Sequence, residues 1–148
     1  MIKINFVCFG NICRSPMAEF VMKNLVDKAG LSQNFLIESS GCHPAVGTPI
    51  HISSCRELKK NNVPFTKRTS KRFTEEVYKN FDYIVCMDSD NVFDAKKISD
   101  GDPDGKIYLL MEFAGETRDV EDPYYTENYS VAYADILRGC QALLKKLS

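Results

Sequence analysis

Residues Cys8-Phe9-Gly10-Asn11-Ile12-Cys13-Arg14-Ser15 (CFGNICRS) lie between an apolar run, Met1–Cys8, and a helical pattern that continues to about Ala29. The first run reads as a buried strand, because it is short, rich in β-branched and apolar residues, and stopped by Gly10-Asn11. Ser15-Pro16 reads as an N-cap followed by proline in the first turn, with Glu19 near the helix start and Gly30 as its stop. A strand that passes through a tight turn straight into a helix is the opening of an alternating α/β chain.

The alternation continues outward from there. Phe35–Ser39 reads as a second strand, ended by Ser40-Gly41, and Ile50–Asn61 as a helix broken by Asn62-Val63-Pro64. Thr74–Tyr78 is a short helix with Thr74 as cap, Phe81–Met87 a third strand, Ser89–Lys97 a helix and Lys106–Leu110 a fourth strand. Glu116–Asn128 is polar and irregular. Tyr129–Leu147 is the clearest helix: Ile136, Leu137, Cys140, Leu143, Leu144 and Leu147 recur along one stripe. The predicted fold is α/β, with three layers: a four-stranded parallel sheet, helices on both faces, and a phosphate-binding loop after the first strand. Ligands of such sheets bind at the carboxyl ends of the strands, which is where Cys8–Arg14 falls.

Composition narrows the class. The chain has 148 residues, enough for one domain, 1–148, and 44% of them are hydrophobic, enough for a core. A formal net charge of -1 offers no global field for nucleic acid, so no nucleic-acid partner is expected. The local basic cluster Lys67, Arg68, Lys71 and Arg72 reads as a solvated face. The start, MIKINFVCF, is interrupted by Lys3 and Asn5 and does not form a signal peptide's apolar core. No run approaches the roughly 18 apolar residues of a membrane span, so the expectation is a cytoplasmic protein without a membrane partner. Six cysteines in a chain with this much core read as free thiols rather than a disulfide scaffold.

The turn itself carries chemistry. A cysteine six residues ahead of an arginine is weak evidence alone, since six cysteines yield such a pair by chance in roughly 30% of chains. Its place at a strand-to-helix turn gives it meaning. A loop at a helix N-terminus turns backbone N–H groups inward as a nest for a dianion, and Gly10 and Asn11 tolerate the positive φ such curvature requires. Arg14 can present two parallel donors to two phosphate oxygens. Cys8, ringed by the same donors, is favoured as a thiolate placed to attack phosphorus, and Ser15 can donate a hydrogen bond to its sulfur. The leaving oxygen then needs a proton. Asp122, in Glu121-Asp122-Pro123-Tyr124-Tyr125, is the candidate general acid and later base, beside tyrosines able to wall a pocket for an aromatic group. Asp102-Pro103 is assigned no chemistry.

With both segments in view, the chain resembles the low-molecular-weight protein tyrosine phosphatases over essentially its whole length. The matching segments are VCFGNICRS (Val7–Ser15) with Pro16–Glu19, Ser39-Ser40-Gly41, FDYIVCMD (Phe81–Asp88), and Asp119-Val120 ahead of Asp122–Tyr125. The resemblance implies hydrolysis of phosphotyrosine in protein substrates through a cysteinyl-phosphate intermediate. Cys8 would be the nucleophile, Arg14 the phosphate clamp, Asp122 the general acid and Ser15 an aid to the thiolate. Asn11 would shape the phosphate loop. Cys13 would form a reversible disulfide with Cys8, guarding it from irreversible oxidation. Phe9, Ile12, Tyr124 and Tyr125 would line the pocket. No metal and no organic cofactor are implied, and a monomer is the default.

The chain also departs from the family pattern. Cys42-His43-Pro44-Ala45 lacks the large aromatic that usually follows Ser-Gly, so one pocket wall is expected to be missing. Arg68 and Lys71 stand where a histidine and an arginine are usual, a change expected to affect local packing and hydrogen bonding. Isoleucine at position 12, where relatives resembling arginine phosphatases carry threonine, favours tyrosine. Three readings compete: an arsenate reductase, which would need cysteines to relay a disulfide from Cys8, a phosphoarginine phosphatase, and a silent phosphotyrosine-binding module. A metal site from His51 and Cys55, with Cys42 and His43 upstream, lacks the paired spacing of structural zinc.

Overall fold

The sheet is built on the first apolar run. In the computed structural model, which describes Met1–Ser148 throughout, β1 (Ile2–Cys8) is an inner strand of a four-stranded sheet. Its neighbours are β2 (Phe35–Gly41) on one side and β3 (Tyr83–Cys86) on the other, with β4 (Ile107–Leu109) at the far edge. All pairings are parallel, in the order β2-β1-β3-β4, and Cys8 lies opposite Gly41 at the carboxyl end. An inner parallel strand is covered on both faces, which is why β1 reads as an unbroken apolar run rather than an alternation.

Side-chain alternation then sorts β1 between two cores. Ile4, Phe6 and Cys8 join the larger core, formed with α1 (Arg14–Lys28) and the C-terminal helix Tyr129–Leu147. Val7 joins the smaller core, with Ile84 and Cys86 of β3 and Phe73, Tyr78 and Ala95 beneath the short helix α3 (Glu75–Asn80) and α4 (Ser89–Ile98). The helix α2 (Ile52–Lys60) packs beside α1 and the C-terminal helix. A single turn, α5 (Leu110–Phe113), follows β4, and another, α6 (Pro123–Thr126), lies inside the segment expected to be irregular. The C-terminal helix is therefore α7. Its stripe buries Ile136, Cys140 and Leu143 completely, while Leu137, Leu144 and Leu147 pack at the margin. Each fully buried aliphatic side chain of this kind contributes about 1.5–3 kcal/mol.

The predicted architecture stands, with local corrections. The helix after the loop begins at Arg14, not after Ser15, and Cys13 occupies the N-cap position without a side-chain capping bond. Ser15 is drawn instead into the loop network described below. The stop at Gly30 is as read: its φ is +73°, its N–H bonds Asp27 O, and Leu31 N–H reaches Val26 O. Strand β3 is shorter than Phe81–Met87, although Asp82 N–H and Met87 N–H still bond the Lys3 and Val7 carbonyls of β1 just beyond its two ends. Strand β4 stops at Leu109 because Leu110 starts α5. Asp102 caps its own turn, accepting from Lys106 N, Ile107 N and the Tyr78 hydroxyl, a purely structural use.

Candidate active site

The carboxyl end of β1 delivers the chain into the loop Phe9–Cys13, and α1 carries it away with its N-terminus facing the turn. The loop closes on β2: Cys42 N–H donates to Cys8 O at 3.0 Å and His43 N–H to Phe9 O at 2.9 Å. This approach leaves no room for a side chain on Gly41, whose Cβ would sit 2.7 Å from Phe9 O. Asn11 is the loop residue in the left-handed region, with φ +57°. Gly10, expected to share that role, has ordinary φ and only Ile12 Cγ1 near its missing Cβ.

Cys8 Sγ sits at the bottom of the turn, 3% exposed. Asn11 N–H donates to it at 3.2 Å, and Ser15 Oγ lies 2.9 Å away. Ser15 accepts from Asn11 Nδ2 at 2.8 Å, which leaves its one proton for either the sulfur at 2.9 Å or the Ser40 carbonyl at 3.3 Å. Asn11 Nδ2 also donates to Ser39 Oγ, which donates to Glu19 Oε1 at 2.6 Å; Glu19 in turn pairs with Lys23. Every one of these groups is a donor or acceptor that water would otherwise satisfy, and no buried side-chain polar atom of the molecule lacks a partner. The network holds the loop in one shape before anything binds.

Arg14 is buried beside the sulfur. Its guanidinium meets Asp88 at 2.9 Å, the carbonyl of Val120 at 2.7 Å and Asp122 at 3.5 Å. The two parallel donors expected to face phosphate are thus oriented by the loop after β3 and by the segment before α6. Asp88 was not singled out from sequence; its position directly after the third strand was the available signal. Asp122 is the N-cap of α6, accepting from Tyr124 N–H at 3.1 Å, with Pro123 in the first turn. Tyr124 and Tyr125 project from that turn, 57% and 78% exposed.

Together these residues enclose a cleft of about 320 Å³, within the usual range of small-molecule sites. Cys8, Gly10, Ile12, Cys13, Arg14 and Asp122 line it along with Phe9, Tyr124 and Tyr125, while Asn11 and Ser15 support it from behind. The wall expected to be missing is partly replaced. His43 packs against Phe9 with ring centroids 4.9 Å apart and the rings tilted by 37°, its Nε2 lies 3.0 Å from Asp94, and Ala45 and Thr48 complete that side.

Cys13 also faces the cleft. Burial pushes its thiol up to about 11, only partly opposed by the hydrogen bond to Tyr129. Tyr129 Oη bridges Cys13 Sγ and His51 Nδ1 at 3.5 and 3.3 Å. His51 caps α2 by accepting from Ser53 N–H, and its backbone N–H holds Ile12 O. These bonds occupy His51 Nδ1, and no group of three or more His, Cys, Asp or Glu side chains is arranged to hold a metal ion. Cys86 and Cys42 share one buried cluster, and burial raises both thiols, Cys42 to about 12.

The arrangement matches known proteins along its whole length. A family profile described as low molecular weight phosphotyrosine protein phosphatase matches residues 3–148. The low molecular weight protein-tyrosine-phosphatase PtpA of Staphylococcus aureus (strain MRSA252) is 39% identical over 146 residues, covering 97% of this chain and 92% of that protein. The crystal structure of YfkJ from Bacillus subtilis superposes with a TM-score of 0.96 at 33% identity, covering 99% of this chain and 94% of that one. SP-PTP, the low molecular weight protein tyrosine phosphatase of Streptococcus pyogenes, gives 0.89 at 41% identity, covering 100% and 94%. A thiol held between a backbone N–H and a serine hydroxyl beside a buried arginine, on this fold and with these relatives, has one reading: the chain belongs to the low molecular weight phosphotyrosine protein phosphatase family, a family of hydrolases.

Proposed function

We propose that the chain hydrolyses phosphotyrosine in protein substrates, with Cys8 as nucleophile, Arg14 as phosphate clamp, Asp122 as general acid and base, and Ser15 as the donor that steadies the sulfur. The observation that carries this reading is the convergence of Cys8, Arg14 and Asp122 on one cleft rimmed by Phe9, Tyr124 and Tyr125. The backbone donors of the loop, the N-terminus of α1 and Arg14 receive the phosphoryl oxygens. The thiolate attacks phosphorus; an S–P bond forms as the bond to the phenolic oxygen breaks. Asp122 gives its proton to that oxygen, and tyrosine leaves neutral. Water then attacks the cysteinyl phosphate, Asp122 takes a proton from it, and the S–P bond breaks to return the thiolate and release phosphate.

The aromatic rim supports an aryl leaving group, and Ile12 keeps the floor apolar where a smaller polar residue would admit a guanidinium. We read residues 1–148 as a single phosphatase domain acting as a monomer, without metal or organic cofactor, and Cys13 as the thiol that closes a protective disulfide with Cys8. A cytoplasmic setting agrees with six free cysteines, and no helix of the chain is long and apolar enough to cross a membrane.

The test is hydrolysis of p-nitrophenyl phosphate near pH 6 without metal, comparing wild type, Cys8→Ser and Asp122→Ala. Wild type turns over, Cys8→Ser is inactive, and Asp122→Ala loses on the order of 10²–10⁴ in kcat. Phosphotyrosyl peptide is preferred over phosphoarginine. A reduced wild type that binds phosphate or vanadate without turnover overturns the reading in favour of a binding module, with arsenate reduction the next assay.

A further inference from the structure

Two guanidiniums stand at the phosphate loop, and their charges are balanced differently. Arg14, in front, has two carboxylates against it, Asp88 at 2.9 Å and Asp122 at 3.5 Å. Arg68 reaches the back of the loop from the segment between α2 and α3. Its Nη1 donates to Asn11 O at 2.8 Å, and its Nη2 donates to Asn11 Oδ1 and, at 3.4 Å, to Ser39 Oγ. All three acceptors are neutral oxygens. None of the chain's ion pairs includes Arg68. The acid that comes nearest in the network, Glu19, is already held by Lys23 and Ser39.

Asn11 is where this matters. Its N–H is the donor to Cys8 Sγ, and its left-handed φ of +57° aims that N–H inward. Its side-chain amide is filled on both sides: Nδ2 donates to Ser15 and Ser39, and Oδ1 accepts from Arg68 and from Lys71 N–H at 2.9 Å. Arg68 is the one partner that grips both the backbone carbonyl and the side chain of Asn11, a two-point hold only a planar fork can make. A partly buried arginine without a carboxylate, placed behind a loop built for a dianion, leaves a positive charge that the loop itself does not cancel.

We propose that Arg68 is a positioning residue of the phosphate loop, locking Asn11 in its left-handed conformation, and that its unpaired guanidinium supplies the positive charge that Asp88 and Asp122 offset on Arg14. The proposal rests on the phosphatase reading of the same site. The titration behaviour of Arg68 agrees with it: burial lowers its pKa, and the negative charges of Glu19 and Cys8 pull it back up. The same guanidinium favours a dianion seated in the loop in front of it. Lys71, of the same basic cluster, contributes a backbone N–H to the lock and sends its own ammonium out to Glu38 at 3.9 Å.

The test compares Arg68→Met, which keeps length and loses charge, with Arg68→Lys, which keeps charge and loses the fork. Three quantities are read: the inhibition constant of inorganic phosphate, kcat with p-nitrophenyl phosphate, and the thermal midpoint with and without phosphate. In Arg68→Met the phosphate constant rises about tenfold, kcat falls, and the phosphate-induced rise in thermal midpoint shrinks. In Arg68→Lys the phosphate constant returns to within about threefold of wild type while kcat remains low, because charge is restored and the grip on Asn11 is not. A residue that only fills space cannot produce that split. Wild-type phosphate affinity in Arg68→Met, or equal losses of affinity and kcat in Arg68→Lys, overturns the proposal. If Arg68→Met does not fold, the Arg68→Lys split decides alone. Failure of the phosphatase reading is visible separately, as wild type that binds phosphate without turnover, and the affinity comparison still judges the charge.

Discussion

Replacing Gly41 by alanine tests the idea that strand β2 sets the shape of the phosphate loop. Gly41 is buried opposite Cys8, with a φ outside the left-handed region, so alanine suits the backbone there and the perturbation is steric. A Cβ at this position meets Phe9 O at 2.7 Å, Asn11 N at 3.0 Å and Asn11 Cβ at 3.1 Å. Ordinary contact begins near 3.4 Å, so the Phe9–Asn11 backbone has to retreat by about 0.7 Å or β1 and β2 have to part. The strands are held by a seven-residue register, and Gly41 itself is clamped by Lys71 O and Phe73 N–H at 2.9 and 2.8 Å. The loop is therefore the side that yields. Its retreat carries Asn11 N–H away from Cys8 Sγ, a bond already 3.2 Å long. Overpacking of this kind costs about 1–3 kcal/mol in stability. Misplacement of a catalytic loop by under 1 Å costs on the order of 10–100-fold in rate. Urea unfolding and kcat/KM for p-nitrophenyl phosphate are measured on the same preparation. Gly41→Ala within twofold of wild type in kcat/KM refutes the reasoning, and a stability loss with full activity shows that the strands, not the loop, gave way.

Gly139→Ala is the matching perturbation away from the site: its Cβ meets the buried Leu110 side chain at 2.6–3.1 Å, so urea stability falls by about 1–3 kcal/mol while kcat/KM holds. His43→Ala removes the ring packed against Phe9, and KM for phosphotyrosyl peptide rises about two- to tenfold with phosphate inhibition unchanged; an unchanged KM excludes His43 as a pocket wall. Cys13 is held as a neutral thiol, its pKa raised chiefly by burial and further by the neighbouring Cys8, so in Cys8→Ser protein, where burial remains, its alkylation by iodoacetamide stays slow at neutral pH and accelerates only in alkaline solution. Rapid labelling of Cys13 at pH 7, located by peptide mass, contradicts that assignment.

Much of the site was legible because its parts are local in sequence. Cys8, Asn11, Arg14 and Ser15 fall within one turn, and the chemistry of each residue type states its use. Asp122 was legible through its neighbours, Pro123 and two tyrosines. The supports were not. Asp88 lies 74 positions from Arg14, Arg68 is 57 positions from Asn11, and Ser39 is 28 positions from it; whatever marks such a residue in the sequence, nothing beside it names the distant group it will meet. Ser15 was misread as a helix cap for the same reason. Before proline a serine suits capping, and only the placement of Cys8, Asn11 and Ser40 around it shows that its hydroxyl is used within the loop.

Periodicity and punctuation alone determined the layered α/β fold, the four strands and the terminal helix, because burial on two faces or along one stripe forces a pattern that is written in adjacent residues. The single helical turns α5 and α6 escaped it, being too short to show a period. Tertiary structure decided what the pattern cannot encode. It chose Asn11 rather than Gly10 for the left-handed turn, set His43 against Phe9 where a larger aromatic was missing, and left one arginine paired and the other free. Each of these is a balance of desolvation, charge and close contact among groups far apart in the chain, and that balance exists only once the sheet has brought them together.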